Sequence, residues 1–151
     1  MDMFGNTSLL NRYLVSFLAS RNVDDQTVLR TDTWVSGIVR TEKVVISGFH
    51  SPLERHLLGR LLANRHPVVM VLGRTLYRRF PEGVAEAVAE DKMLIVSLRR
   101  YSRHSFSSAQ IRNWYVTDIA DEMVFAGLHS GSSLNVLYDM RRSEGRPTVV
   151  L

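Results

Sequence analysis

The sequence predicts an α/β domain, a Rossmann-like three-layer fold with a mostly parallel sheet of about six strands. Three observations predict it. Short apolar runs of four to six residues recur without polar alternation, as strands buried on both faces require. Amphipathic stretches with helical spacing separate them, long enough to serve as right-handed crossovers. Proline, glycine and polar clusters punctuate the boundaries between the two.

The elements follow in order. Residues 13–18 read as the first strand, and Val28, Thr31, Val35 and Ile38 fall at helical spacing after it. A polar turn over 40–43 enters a second strand at 44–46. Pro52 suits the first turn of a helix carrying Leu53, Leu57, Leu58, Leu61 and Leu62 on one face. Pro67 stops it, and 68–72 is a third strand. Pro81 opens a short helix through 88, followed by a fourth strand at 93–96. The stretch 98–107 has no clear period and reads as a long loop. A helix over 108–119, a strand at 123–126, a helix over 132–142 closed by Gly145, and a strand at 149–151 complete the pattern.

A length of 151 residues suits one domain over 1–151 with one core and no flanking domains. With 45% apolar and 23% charged residues the composition is globular rather than disordered. No apolar run approaches the roughly 20 residues that span a bilayer. The first eight residues lack the basic-then-apolar pattern of a signal peptide. The absence of cysteine excludes disulfides and thiolate metal sites, and a cytoplasmic setting is expected. The formal net charge of +4 is carried by 17 arginines against 2 lysines. Arginine presents a planar fork of donors that fits phosphate and stacks on rings. The balance points to nucleic acid or nucleotide, although a basic bias across a whole proteome produces the same charge.

In doubly wound sheets the ligand sits beyond the carboxyl ends of the strands. Small residues collect there: Ala19, Ser20 and Arg21 after the first strand, Ser47 and Gly48 after the second, Gly73 after the third, Gly127 after the fifth, then Ser130 and Gly131 before a helix. Such residues allow close backbone approach, and helix N-termini offer free N–H groups to anions. Tight turns alone would use the same residues. Neither G-x-x-x-x-G-K-[ST] nor G-x-G-x-x-G after the first strand is present, which disfavours a P-loop and a standard dinucleotide site. His50, His56, His66, His104 and His129 lack metal-ligand spacing, and no catalytic triad follows from spacing. No metal and no cofactor are expected. Between Arg99 and Phe106, the cations Arg99, Arg100 and Arg103 interleave with Tyr101 and Phe106, a mixture that tracks a sugar-phosphate backbone and stacks bases. A solvated loop with its rings in the core is the plainer reading.

These positions resemble the DNA-processing protein A (DprA/Smf) family, in its Rossmann-like domain. The opening Gly5-Asn6-Thr7-Ser8-Leu9-Leu10 is similar to the family's G-N-x-x-L-L, and Ala19-Ser20-Arg21 to its G-S-R. Ser47-Gly48 ends a strand as the family's S-G-G does, and Val71-Leu72-Gly73 matches V-L-G. Arg112-Asn113-Trp114 through Asp121 resembles R-N-R-I-I-x-x-L-x-D, Ser130-Gly131-Ser132 its S-G-[ST] helix start, and Gly145-Arg146 through Val149 its closing G-R-x-V. The order of motifs is kept over nearly the whole chain. Ala19, Phe49 and Trp114 depart from the family's Gly, Gly and Arg. The broader superfamily includes the lonely-guy phosphoribohydrolases, but their P-G-G-x-G-T-x-x-E is absent.

The resemblance implies a module that binds single-stranded DNA, works as a homodimer and helps to load a recombinase. It implies a phosphate pocket of Ser20, Arg21, Ser47, Gly48, Arg112, Asn113, Ser130 and Gly131. In it Arg21 and Arg112 pair with phosphate, and the serines with nearby N–H groups cradle it. A small-nucleotide sensor using the same pocket is the alternative. An enzyme acting on a nucleotide would need Asp118, Asp121 or Asp139, which solvation of helix and strand edges explains as well; no catalytic residue is assigned. Trp114, Tyr115 and Phe49 are the expected dimer anchors, since large aromatics are favoured there.

Overall fold

In a computed structural model, the apolar runs form the centre of one seven-stranded sheet. The structure describes residues 1–76, 78–101 and 105–151, with the side chains of Arg99, Arg100, Tyr101 and Phe106 outside the described set. In chain order the elements are β1 (Asp2–Gly5), a 3-10 turn (Thr7–Asn11), β2 (Leu14–Ala19), α1 (Asp25–Ile38), β3 (Val44–Ser47), α2 (Pro52–Ala63), β4 (Val68–Arg74), α3 (Val84–Ala89), β5 (Met93–Tyr101), α4 (Phe106–Ile119), β6 (Glu122–Ala126), α5 (Leu134–Arg142) and β7 (Thr148–Val150). The strand order is β1-β5-β4-β3-β2-β6-β7. All neighbours run parallel except β1, which pairs antiparallel with β5.

The period of two along each strand divides the core into two layers. Val15, Phe17 and Ala19 of β2 pack with Val35 of α1, Leu57 of α2 and Val84 of α3. Leu14 and Leu18 face the other way, against Val116 of α4, Leu134 and Leu137 of α5, and Leu9 of the 3-10 turn. Both faces of the sheet are therefore covered, which is why these strands are apolar on both faces, with only Ser16, Ser47 and Ser97 as fully buried polar residues among the described strand positions. Helix α2 shows how the sequence specifies a boundary. Ser51 accepts from the Glu54 N–H, Glu54 reaches back to the Ser51 N–H, and Pro52 fills the first turn. Its Leu57 and Leu61 are fully buried, so truncating either to alanine costs about 2–5 kcal/mol.

From β2 the chain builds outward through β3, β4 and β5 on one side, then returns to place β6 and β7 on the other. The crevice between the loops after β2 and β6 is the topological switch point, the place where such sheets bind ligands.

One expectation is corrected. The stretch 98–107 is not one long loop: β5 continues to Tyr101, and α4 starts at Phe106 behind an N-cap at Ser105. Strand pairing carries this extension, with Tyr101 opposite Arg74 across an irregularity in β4. Strand β1 adds to the predicted elements and brings the count to seven, in keeping with the expected mostly parallel sheet of about six strands. Its residues 3–5 are exposed, and the backbone ladder from Asp2–Ser97 to Gly5–Leu94 defines it instead of buried side chains. Among the described residues no helix is long and apolar enough to cross a membrane.

Candidate functional site

The loops leaving β2, β3 and β6, together with one face of α4, enclose a cavity of about 590 Å³ at the switch point. Ser20 is fixed at its floor. Its N–H donates to the Ala126 carbonyl at 3.0 Å, and its hydroxyl lies 2.6 Å from that of Ser132. This hydroxyl pair ties the end of β2 to the approach of α5. There the Gly131 N–H donates to Nδ1 of His129 at 3.1 Å, and the Leu134 N–H donates to the Ser132 hydroxyl at 3.2 Å. The first turn of α5 has no side-chain cap from Ser133 and forms part of the wall, so the positive end of that helix faces the cavity.

Glu54 clasps two of the lining loops. One carboxylate oxygen accepts the Ala19 N–H at 2.9 Å; the other accepts the His50 and Ser51 N–H groups at 3.0 and 3.4 Å. The side chain is only 2% exposed. Backbone donors from the β2 end and the β3–α2 loop thus share one buried carboxylate, which sets their spacing.

Arg112, 6% exposed, enters from α4, and its Nε donates to Oδ1 of Asn113 at 3.2 Å. It lies flat over Gly48. A Cβ at Gly48 would sit 2.3 Å from Nε of Arg112, so only glycine admits the guanidinium there. Arg21 and Arg55 stand exposed in the wall. Among the described residues neither guanidinium has a hydrogen-bond or ion-pair partner. Three arginines therefore face a cavity whose one carboxylate, Glu54, is already saturated with N–H donors.

Of the residues predicted for the pocket, Ser20, Arg21, Arg112, Asn113 and Gly131 line this cavity. Gly48 lines an adjoining one. Ser47 lies fully buried behind the wall, its hydroxyl accepting the Phe49 N–H at 3.0 Å, and exposed Ser130 is not among the lining residues. The basic-aromatic group lies outside the described residues: Arg103 entirely, and Arg99, Arg100, Tyr101 and Phe106 in their side chains. Sequence reasoning missed Glu54, Arg55, His50 and His129 as cavity residues. The spacing Ser51-x-x-Glu54 is the signal that marks Glu54.

Other candidates disperse. Asp121 accepts the Leu14 N–H at the opposite edge of the sheet, Asp118 pairs with Arg141 at 3.6 Å, and neither lines the cavity, nor does Asp139. His56 pairs with Asp32, and buried His66 meets the Lys43 carbonyl. No cluster of three or more His, Cys, Asp or Glu among the described residues could hold a metal. Of the three expected dimer anchors, Phe49 belongs to the core and Tyr115 packs against it, because Phe49 turns under α2 and Tyr115 faces the sheet side of α4. Only Trp114, 47% exposed, is on the surface.

No protein-family model matches the sequence, and no curated protein matches it. Solved structures do. DNA processing protein A from Streptococcus pneumoniae superposes with a TM-score of 0.79 at 18% identity, over 98% of this chain and 53% of that one. The fold is that of DNA processing protein A. A second DprA, from Helicobacter pylori, superposes with a TM-score of 0.76 at 18% identity, over 98% of this chain and 69% of that one. That structure was determined for the protein's single-stranded DNA binding mode. The chain thus spans about half the length of the Streptococcus pneumoniae DprA.

Proposed function

We propose that this chain is a DprA-like module that binds single-stranded DNA, with phosphate held at the switch-point cavity. The observation that carries this reading is the exposed pair Arg21 and Arg55, unpartnered among the described residues, beside buried Arg112. Arginines with no internal role suit the bidentate recognition of phosphate. The Ser20 and Ser132 hydroxyls and the positive end of α5 supply neutral polar groups beside them. The likeness in fold to a DprA studied for its single-strand binding supports the same polymer.

A free nucleotide is the second reading, favoured by the cavity's volume, which falls within the roughly 300–1,000 Å³ of small-molecule sites. A titration against single-stranded DNA, duplex DNA and a mononucleotide over a salt series separates the two. Tight single-strand binding that weakens steeply with salt is expected. Salt-tolerant binding of the mononucleotide alone would replace this reading with the second.

The reading extends to a homodimer. Trp114, Val136 and Met140 form an exposed apolar patch between α4 and α5, of the kind that anchors interfaces. A monomer by light scattering at high concentration removes that part.

A further inference from the structure

A second cavity, of about 640 Å³, lies beside the first at the carboxyl ends of β3 and β4. The two share three lining residues, His50, Arg55 and Arg112, so they are neighbours across the β3–α2 loop. The second differs in character. Phe49, Leu58, Met70 and Phe80 give it an apolar floor, while Arg55 and Arg79 supply cations at its edge against one lining carboxylate, Glu82. Phe80 is held by a parallel stack on Phe4, with ring centroids 5.2 Å apart and planes 5° from parallel. The loop between the cavities is strained: Phe49, a bulky residue, has a φ of 48°. Such strain persists where the surroundings over-determine it, and it gathers at ligand sites.

An apolar floor with arginines at the rim fits a ligand that is flat and apolar at one end and anionic at the other, which describes a nucleotide. Adjacency to a phosphate-suited cavity selects a ligand in which such units repeat. We propose that the second cavity takes a further nucleotide of the same single strand. Its base lies over Phe80 and Leu58, and its phosphates lie on Arg55 and Arg79. This rests on the single-strand reading above and adds to it a site size of more than one nucleotide, with Arg55 on the path between subsites.

Gly59 provides the test. It lines the second cavity from the middle of α2, and a Cβ there would meet nothing within 4 Å. Gly59→Phe therefore plugs the space while improving helix propensity. The probes are thymidine 5′-monophosphate, which fills one subsite only, and an oligothymidylate of about 15 nucleotides, titrated by fluorescence anisotropy at low salt. Gly59→Phe is expected to weaken the long oligomer about tenfold, leave the monophosphate unchanged and keep or raise the melting temperature. Arg79→Ala is expected to flatten the salt slope for the long oligomer by about 0.7. Wild-type affinity of Gly59→Phe for the long oligomer overturns the second subsite alone. Equal loss for the monophosphate and the long oligomer overturns the independence of the two cavities. Absence of any single-strand binding by the wild-type chain overturns this proposal together with the reading it rests on.

Discussion

The two edges of the sheet treat charge in opposite ways. At the edge where the strands begin, polar groups serve the fold. Arg146 donates one terminal nitrogen to the carbonyls of Thr117, Asp118 and Ala120, capping the end of α4, and the other to Glu144 at 2.8 Å. Asp121 caps the start of β2, and Lys43 pairs with Glu122 at 3.2 Å while lying over the Tyr13 ring. At the edge where the strands end, Arg21, Arg55 and Arg79 point outward and make no hydrogen bond or ion pair among the described residues. The first set of charges closes the structure; the three arginines of the second are held in reserve. The difference locates function without any catalytic motif, because charges with no role in folding suggest a partner outside the chain.

Glu54 is the exception at the ligand edge and gives the largest expected effect. It is buried and satisfies three backbone donors from two loops. Glu54→Ala is expected to cost about 2–4 kcal/mol, since hydrogen bonds to charged groups contribute about 1.5–3 kcal/mol each and water recovers part of the loss. Urea denaturation measures this. An unchanged midpoint would mean that other contacts set the loops. Next comes Arg146→Ala at the folding edge. It frees three helix-end carbonyls and should lose about 1–2 kcal/mol while leaving single-strand affinity intact. Loss of affinity without loss of stability there would erase the contrast between the edges.

A smaller effect concerns His66. Burial lowers its pKa from the ordinary 6.5, against the opposing hydrogen bond to the Lys43 carbonyl. A group depressed in the folded state contributes stability that is complete above its unfolded value and lost as pH falls through the folded one. Thermal melts between pH 7 and pH 5 should show wild type losing more stability than His66→Asn. Parallel pH profiles for the two would show that this imidazole is indifferent to folding.

Much of this contrast was legible in the sequence, and what was not has physical causes. Val44–Ser47 and Val68–Leu72 announced themselves because doubly buried strands admit little except apolar residues. Residues 2–5 did not, because an edge strand held by backbone pairing leaves its side chains exposed. The continuation of β5 past Leu98 was hidden because residues 99–101 of the sequence form no apolar run, and backbone pairing with β4 defines it instead. Ser20 and Arg21 were found because small or cationic residues at strand ends carry a positional meaning, and Arg112, in the middle of α4, through the resemblance of Arg112-Asn113 to a family motif. Arg55 and His50 lie on a helix start that reads, from sequence, only as packing; their placement depends on how far the β3–α2 loop turns at Phe49. Ser47 and Ser130 show the converse, since a residue at the correct edge need not face the cavity.

The central claim is that the outward arginines belong to a ligand and contribute nothing to folding. The direct measurement is the salt dependence of single-stranded DNA binding by Arg21→Ala/Arg55→Ala beside wild type, with a thermal melt of each. The expected result is a log–log salt slope shallower by about 1.4, from two phosphate contacts of about 0.7 each, with stability changed by less than about 0.5 kcal/mol. An unaltered slope, or a double variant that melts far below wild type, would contradict the claim.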